Sequence, residues 1–372
     1  MRKILIVIPL SYFASIPFLM EMIKSFVANG FYIDILTVDE LDPCFSIQDE
    51  RISIKYIEKK RTFVGRIRHL YEIVRIVRKL DDKCKYKMIF GCSQMGVITT
   101  WFASLFSDIK YIYLNDELWF NDFVNNIYYY PLKCAEIAAS RNAVFTITQD
   151  KMRGKLLSRI NNLDFNKLKY LPNSRVGCGI VQRSYYLHEM IGCSLRKKII
   201  LWIGAVSEGD GALELVEQSN EWPDDYILVF HFRSQRLTPY KEKIMAYHKK
   251  MNVHVLTDDF SYDELPAVFS SAYIGVAYYP DRGINARYIG HSSGKINSFL
   301  QHGVPCVVSD LIGLHWVRKT GSGVCVKNIS EVSQAISIIE GNYKSFSKSA
   351  VSAFDSLLSI DDPMSELVDL FK

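Results

Sequence analysis

The run Ser292-Ser293-Gly294-Lys295 combines residue types that suit the binding of a phosphate, and an apolar stretch follows it. Serine is favoured at a helix N-terminus, and glycine lets a ligand come close to the backbone. The N–H groups and the positive end of the helix dipole at such a terminus attract an anion. A lysine in the first turn opposes this dipole, so Lys295 is better explained if an anion lies beside it. The alternative interpretation is an ordinary capped helix with a solvated lysine.

A second polar group, Asn115-Asp116-Glu117, directly follows the apolar run 110–114. A carboxylate at the end of a strand can act as a general base if it comes within hydrogen-bond distance of an acceptor hydroxyl. Asp116 also suits a helix N-cap and Glu117 a first helical turn, so both residues have a structural alternative. Because Asp116 is the better cap, we expect Glu117 to be the catalytic base, with Asp116 as the second candidate.

The elements that must position these residues are predicted by the alternation of short apolar runs with amphipathic stretches. This pattern is typical of parallel sheets that are covered by helices on both faces. The predicted helices include 14–28, 63–80, 95–106 and 151–160. The predicted strands are 3–10, 31–38, 52–57, 87–91, 110–114, 143–148, 168–171, 198–203, 226–232, 253–256, 273–278, 306–309 and 324–327.

The length of 372 residues and a cluster of turn-forming residues at 172–179 predict two domains. We expect an N-terminal Rossmann-like domain at 1–175 and a second one at 176–350. The segment 351–372 is expected to be helical and to pack back on the N-terminal domain. In a doubly wound sheet, ligands bind beyond the carboxyl ends of the strands, at the point where the strand order reverses.

The composition is that of a globular protein, with 49% hydrophobic and 23% charged residues. No apolar run reaches the ~18–20 residues that cross a bilayer. The short apolar run after Met1 is predicted to be a buried strand rather than a signal peptide. The eight cysteines occur singly, so we expect reduced and mostly buried thiols, a cytoplasmic location and no metal site.

The positive charge is concentrated in residues 1–175, which carry 26 Lys and Arg against 18 Asp and Glu. The most basic stretch is 59–79, where a predicted helix has an apolar stripe on one side. Its basic residues lie mainly on the other side: Arg68, Arg75, Arg78 and Lys79. This face is either solvated or docks on anionic lipid, where each basic residue contributes ~1 kcal/mol. No nucleic-acid-binding motif accompanies it, so nucleic acid is not an expected partner.

The run that begins at Ser292, its apolar helix and the Gly-x-Pro-x-Val-x-Ser at 303–309 are similar to the nucleotide-binding helix of GT-B fold glycosyltransferases. The resemblance is to bacterial polysaccharide enzymes near glycosyltransferase family 4, and it spans most of the chain. Other stretches resemble the family in the same order: 111–119, 146–160, 171–174 and 198–204. The resemblance implies two Rossmann-like domains that face each other across a cleft, with the nucleotide-sugar donor on the second domain.

Two departures from the family pattern affect the donor site. Many family 4 enzymes bind the diphosphate with an arginine after the first donor-domain glycine and a lysine about five residues on. In this chain Ala205 follows Gly204, and no basic residue stands at the second position. The two glutamates that those enzymes often carry eight residues apart are replaced by Gly290 and Ser298. The phosphate charge must therefore be met by Lys295, its neighbouring backbone and another cation.

We expect Arg233 to be that cation, because it directly follows a predicted strand, with Arg282 and Arg287 as reserves in a loop. His231 alternates with Arg233 and is expected to contact the donor phosphate. The alternative is that His231 only forms hydrogen bonds at the end of its own strand. On the acceptor side, we expect two residues that follow strands of the first domain: Ser11 and Ser93.

The resemblance implies an enzyme that moves a sugar from a nucleotide sugar to a polyprenyl-linked or oligosaccharide acceptor. Its role would be surface polysaccharide synthesis, such as O-antigen or capsule, in the cytoplasm or on the inner leaflet, without a cofactor or metal. One alternative is a transferase that uses a CMP-sugar, since Asp116-Glu117, His231 and Ser292-Ser293 occur in the order of sialyltransferase motifs, although the His-Pro pair is lacking. The others are a GT-B nucleotide-sugar epimerase and a non-enzymatic two-domain sugar-binding protein.

Overall fold

The chain folds as two compact units in the computed structural model. The first unit is Met1–Asn173 with Ile360–Lys372, and the second is Ser174–Ser359. The structure describes residues 2–9, 13–38, 44–58, 63–119, 129–233, 238–250 and 252–372, and the side chains of all of these except 63–67. Ser11 therefore lies outside the described residues.

The first unit is a parallel sheet of seven strands in the order β3-β2-β1-β4-β5-β6-β7. The strands are β1 Lys3–Ile8, β2 Tyr32–Val38, β3 Ile52–Ile57, β4 Met88–Cys92, β5 Tyr111–Leu114, β6 Thr146–Thr148 and β7 Leu168–Tyr170. The helices are α1 Pro17–Ala28, α2 Phe63–Cys84, α3 Ser93–Ser104, α4 Tyr130–Asn142 and α5 Lys151–Asn161. The strand order reverses between β1 and β4, as in a doubly wound sheet.

The second unit is a parallel sheet of six strands in the order β10-β9-β8-β11-β12-β13. Its strands are β8 Lys198–Ile203, β9 Tyr226–His231, β10 Val253–Leu256, β11 Ile274–Ala277, β12 Cys306–Ser309 and β13 Gly323–Val326. Its helices are α6 Tyr186–Ile191, α7 Ala212–Ser219, α8 Pro239–Met245, α9 Leu265–Ser270, α10 Ile284–Arg287, α11 Gly294–Gln301, α12 His315–Thr320, α13 Val332–Gly341 and α14 Tyr343–Ala353. Here the order reverses between β8 and β11.

Continuous apolar runs form these central strands because both faces of each sheet are covered. In β8, Ile199 and Leu201 pack into a core on one face, while Ile200 and Trp202 pack into the core on the other. Each of these side chains is buried, and burying a large aliphatic side chain contributes about 1.5–3 kcal/mol. The predicted fold class, two doubly wound α/β units, is confirmed, and each described strand overlaps one of the predicted runs.

The last helix, α15 at Asp361–Asp369, belongs to the first unit and packs against α1. After it, the Phe371 ring lies 6.0 Å from the rings of both Phe26 and Phe90. The second unit continues to Ser359, beyond the predicted limit at 350, because Phe354 and Leu358 are buried in its core.

Helix α2 buries an apolar face that includes Ile73, Val77 and Leu80. Its basic residues at 68, 75, 78 and 79 are exposed. Arg78 is not simply a solvated cation, because its guanidinium donates to the carbonyls of Phe102, Ala103 and Leu105 at 2.7–3.1 Å. Arg78 thereby satisfies the C-terminal end of α3. None of the helices in the described residues is long and apolar enough to span a bilayer.

All eight cysteines lie in described residues and are free thiols. The expectation that most of them are buried was too broad. Only three are fully buried: Cys44, Cys92 and Cys306. Cys134 and Cys178 are exposed.

Candidate functional site

In the second unit, residues from three segments meet at the carboxyl edge of the sheet. Gly204 follows β8, Tyr279 lies just beyond β11, and Ser293 and Lys295 begin α11. Strands β8 and β11 are adjacent, with Trp202 opposite Val276. This is the point where the strand order reverses, which is where such sheets bind ligands. We call Gly204, Tyr279, Ser293 and Lys295 the candidate phosphate site.

Ser293 is the N-cap of α11. Its hydroxyl accepts a hydrogen bond from the Ile296 amide at 3.4 Å and lies 2.7 Å from the Tyr279 hydroxyl. Ser292, the other cap candidate, instead donates its hydroxyl to the Ile289 carbonyl. The next residue, Gly294, carries no side chain over the start of the helix. The contact with Tyr279 therefore holds the N-terminus of α11 in place. Because Ser293 and Gly294 are small, a ligand can approach the backbone there.

The Lys295 ammonium lies among aromatic rings rather than carboxylates. Its Nζ is 4.8 Å from the Tyr279 ring centroid and 6.0 Å from the Trp202 centroid. A Cβ placed on Gly204 would lie 3.6 Å from the same nitrogen, and Gly204 has a φ of +106°. Among the described residues, no carboxylate forms an ion pair with Lys295. Burial lowers the pKa of Lys295 to about 8, an effect that Asp210 opposes.

Burial disfavours the charged form of Lys295, and Asp210 is the only group that favours it among the described groups that act on its pKa. A phosphate at this position would favour the charged form of the lysine and raise its pKa again. Glycine at 204 also leaves room for such a group next to the ammonium. The arrangement thus has the properties of a phosphate site: a cation, a helix N-terminus and close access to the backbone.

Asp210, which the sequence analysis did not single out, holds the loop between β8 and α7. Its buried carboxylate accepts from the amides of Ser207 at 2.5 Å and Ala212 at 3.0 Å, and from the Tyr240 hydroxyl at 3.1 Å. Arg282 contacts the same loop, donating to the Ser207 hydroxyl at 3.2 Å and to the Glu208 carbonyl. Of the two reserve cations, Arg282 is therefore placed beside the loop that follows β8.

The other predicted cations are engaged elsewhere. Arg233 has its Nε 3.9 Å from a carboxylate oxygen of Asp259. Arg287 donates from Nε to both carboxylate oxygens of Asp281, at 2.7 and 2.9 Å. The structure therefore groups Lys295 with Gly204 and Ser293, and gives both arginines acidic partners of their own.

His231 is the last residue of β9 and is buried. Its Nε2 lies 2.7 Å from the carbonyl oxygen of Asp258, so this nitrogen carries the proton. Burial lowers the pKa of His231, and its Nδ1 has no hydrogen-bond partner among the described residues. His231 is thus a neutral residue that holds the segment after β10, and its Nδ1 can accept one more hydrogen bond.

In the first unit, Asn115, Asp116 and Glu117 form a loop directly after β5, which we call the acidic loop. Buried side chains from three other segments donate hydrogen bonds to its carbonyl oxygens. Gln149 donates to the Asn115 carbonyl at 2.6 Å, and Arg153 donates to the Asp116 carbonyl at 2.8 Å. The Glu117 carbonyl accepts from Asn115 Nδ2 at 2.8 Å and from Gln94. The loop backbone is therefore fixed at every residue.

The two carboxylates of the acidic loop have different surroundings. Asp116 is half-buried, and burial together with the neighbouring Glu117 raises its pKa to about 7. The Glu117 side chain is 61% exposed, with its carboxylate 4.0 Å from the Arg153 guanidinium. No helix begins between Asp116 and Trp119, and the Asp116 carboxylate accepts from the adjacent Glu117 amide at 3.0 Å. The helix-cap explanation of Asp116 is therefore not supported by these residues.

A buried polar network lies behind the acidic loop. Asn115 donates to the Tyr113 hydroxyl at 2.8 Å, and this hydroxyl donates to Glu136 at 3.0 Å. Glu136 also pairs with Lys133 at 2.6 Å, and Lys133 donates to Asn161 at 2.8 Å. Charges this deeply buried must be paired, so the network ties β5 to α4 and α5.

Ser93 is the first residue of α3 and lies directly after β4, as predicted for an acceptor-side residue. It is buried and has a φ of +58°, a left-handed conformation that is strained for serine. Its neighbour Gln94 binds the acidic loop. Within the described residues, no three His, Cys, Asp or Glu side chains are grouped so that they could hold a metal ion.

The sequence did not point to three residues at the two candidate sites. They are Tyr279 beside Ser293, and Gln149 and Arg153 beside the acidic loop. Tyr279 could have been found from its position just after a predicted strand. Gln149 has the same signal, because it directly follows β6. Arg153 gives no comparable signal, since an arginine in the first turn of a helix usually lies on its solvated face.

Comparisons with known proteins identify the fold. No family model and no curated protein matches the sequence. Sucrose-phosphate synthase from Thermosynechococcus elongatus has a TM-score of 0.76 at 14% identity, with 100% of this chain and 98% of that chain covered. Anabaena HepE, solved with UDP and glucose, gives 0.70 at 12%, covering 100% and 99%.

Two further solved structures share this architecture over nearly their whole length. WaaG, a glycosyltransferase involved in lipopolysaccharide biosynthesis, gives a TM-score of 0.67 at 12% identity, covering 100% of both chains. A putative UDP-N-acetylglucosamine 2-epimerase from Listeria monocytogenes gives 0.68 at 14%, covering 100% of this chain and 96% of that one. At identities this low, the structural similarity shows a common fold alone. The chain therefore has the GT-B fold, the architecture that these glycosyltransferases share.

Proposed function

We propose that the protein is a glycosyltransferase that moves a sugar from a nucleotide-sugar donor to an acceptor hydroxyl. The observation that carries this proposal is Lys295, a half-buried ammonium at a helix N-terminus with no ion-pair partner among the described residues. A donor diphosphate would supply an anion to pair with Lys295. Because Ser293 and Gly204 are small, they leave the backbone near the ammonium accessible to the donor. The neutral His231 and the loop cation Arg282 are the second and third groups proposed to contact the donor.

The donor proposed is a UDP-sugar. HepE, which shares the fold, was solved with UDP and glucose, and the Listeria protein is named for a UDP-sugar. The departures at Ala205 and Ser298 mean that this chain would bind the diphosphate and ribose with fewer charged side chains than many family 4 enzymes. Lys295 would therefore carry more of the phosphate interaction than usual.

We propose Asp116 as the group that accepts the proton of the acceptor hydroxyl. Its pKa of about 7 lets it be ionised near neutral pH and still bind a proton well, which is the optimum for a general base. Glu117, which the sequence favoured, has a largely exposed side chain, and its carboxylate faces the Arg153 guanidinium at 4.0 Å. In a transfer that retains the anomeric configuration, Asp116 would orient the acceptor instead. No metal or other cofactor takes part in this proposal.

The proposed acceptor is a lipid-linked or oligosaccharide chain of a surface polysaccharide, with Ser93 on the acceptor side. Support comes from the lipopolysaccharide role stated for WaaG and from the exposed face of α2. This face carries Arg75 and Lys79 together with Tyr71, whose side chain is largely exposed. Cations beside an exposed aromatic ring suit an anionic membrane surface. The expected location is therefore the cytoplasm, at the inner leaflet.

A nucleotide-sugar epimerase is the second candidate, because the Listeria protein has the same fold. Product analysis separates the two. The protein is incubated with UDP-, GDP-, dTDP- and CMP-sugars, with and without a polyprenyl-linked acceptor, in the presence of EDTA. A transferase gives a glycosylated acceptor and UDP only when both substrates are present. An altered UDP-sugar formed without acceptor would show an epimerase, and transfer from a CMP-sugar alone would contradict the diphosphate proposal.

A further inference from the structure

Arg153 is a fully buried arginine in the first turn of α5, with 1% of its side chain exposed. The start of α5 is fixed by Asp150, whose carboxylate accepts from the Arg153 amide at 2.8 Å. A cation near a helix N-terminus opposes the helix dipole, so this position gives Arg153 no local advantage. Burying its charge costs free energy unless other groups compensate. The reason for an arginine here must lie in what its guanidinium contacts.

The guanidinium contacts the acidic loop. It donates to the carbonyl oxygen of Asp116 at 2.8 Å, and a carboxylate oxygen of Glu117 lies 4.0 Å away. One rigid group thus binds the backbone of the first carboxylate residue and faces the side chain of the second. Gln149 holds the preceding carbonyl, that of Asn115, in the same way at 2.6 Å but carries no charge.

Resting on the proposed function, we infer that Arg153 is a positioning residue for the reaction: it holds the Asp116 backbone in place and supplies a buried positive charge that faces the acidic loop. Gln149 shares the first task only. The pair therefore allows the mechanical contribution and the electrostatic contribution to be separated by substitution.

The charged and titratable groups that face Asp116 come from every element packed against the loop. They are Cys92 of β4, Tyr113 of β5, Glu117 of the loop itself and Arg153 of α5, and Asp150 at the start of α5 acts on Arg153. Arg153 favours the ionised form of Asp116, while Glu117 and burial disfavour it. Without Arg153, the pKa of Asp116 should rise further.

The test measures kcat and KM for the UDP-sugar against pH in four full-length variants. Arg153→Gln removes the charge. Arg153→Lys keeps the charge but lacks the planar guanidinium. Gln149→Met removes the hydrogen bond to the Asn115 carbonyl without a change in charge. Arg159→Gln, an exposed arginine on the same helix, is the matched control. Circular dichroism and melting temperatures establish that each variant is folded.

We expect Arg153→Gln to lose about 10- to 100-fold in kcat, because a small displacement of a reacting group has effects of this size. The acidic limb of its pH–rate profile should move to higher pH, since the Arg153 charge favours the ionised form of Asp116. Donor KM should stay unchanged, because the candidate phosphate site belongs to the other unit. Gln149→Met should lose kcat with its acidic limb in place, and Arg159→Gln should match the wild type.

A folded Arg153→Gln whose acidic limb coincides with that of the wild type would overturn the inference, whatever its rate. If Arg153→Gln does not fold, Arg153→Lys decides. A lower kcat of Arg153→Lys, with the acidic limb of its pH–rate profile unchanged, supports the positioning role. A kcat equal to that of the wild type contradicts it. Asp116→Asn, measured alongside, separates this inference from the proposed function. If Asp116→Asn is fully active the proposed base is wrong, whereas if it is inactive only the role of Arg153 is in question.

Discussion

Lys295 illustrates how the surroundings of one residue change its interpretation. A lysine in the first turn of α11 opposes the helix dipole, and the sequence alone leaves a solvated lysine as an alternative. The structure places its ammonium between Tyr279 and Trp202, next to a glycine, and its pKa falls to about 8. Partial burial without an anionic partner is unfavourable, so the solvated alternative no longer explains the residue.

The two carboxylates of the acidic loop should respond differently to amidation. Asp116→Asn is expected to lose at least ~100-fold in kcat, the lower end of what a general base contributes. A base acts when it is ionised, so wild-type activity should fall as the pH drops through about 7, the pKa of Asp116. Glu117→Gln should stay active, and its acidic limb should move to lower pH because a neighbouring negative charge is gone.

Rate profiles of both variants between pH 5 and 9 test this assignment, with melting temperatures as the control for folding. An inactive Glu117→Gln beside an active Asp116→Asn would restore the assignment made from the sequence. Normal turnover in both would place the base elsewhere.

The roles of single residues could be predicted only where residue type and position act together. Lys295, Ser293 and Asp116 follow or precede predicted elements closely, so their location at a sheet edge was foreseeable. Arg153 was not, because whether a helical arginine points to solvent or under a loop depends on packing between elements. The preference for Glu117 over Asp116 rested on a cap that the described residues do not show.

At the scale of elements, α2 shows that a basic face can serve two purposes. Arg78 donates to three carbonyls at the end of α3, whereas Arg75 is an exposed residue of the same helix. Arg78→Gln is expected to lower the free energy of unfolding by about 1–3 kcal/mol, because carbonyls lose a charged donor. Arg75→Gln should leave it within ~0.5 kcal/mol.

Denaturant unfolding measures the stability of both variants, and sedimentation with phosphatidylglycerol vesicles measures their lipid binding. We expect Arg75→Gln with Lys79→Gln to weaken binding at low salt, and raised salt to release the wild-type protein. Equal sedimentation with neutral vesicles would argue against an electrostatic membrane surface. Equal stability of Arg78→Gln and Arg75→Gln would show that the contacts to α3 contribute nothing.

For the whole molecule, the sequence was sufficient to predict the fold class, because strands such as β1 and β8 are buried on both faces and therefore appear in the sequence as continuous apolar runs. The order of the strands within each sheet was not predicted from this pattern. The exact end of the second unit was not predicted either, since Phe354 and Leu358 look like any apolar residues of a terminal helix until their core partners are known. The fold in turn places Gly204, Tyr279 and Lys295 at one sheet edge, although they are far apart in sequence.

Calorimetric titration of UDP into the wild type, Lys295→Ala and the control Lys319→Ala at pH 7 tests the central claim most directly. Lys319 is an exposed lysine of the same unit. We expect Lys295→Ala to bind UDP at least ten-fold more weakly, about 1.4 kcal/mol, and Lys319→Ala to match the wild type. Wild-type affinity should decline as the pH rises beyond about 8, where Lys295 loses its proton. Equal UDP affinity in a folded Lys295→Ala, or no binding of UDP by the wild type, would contradict the account.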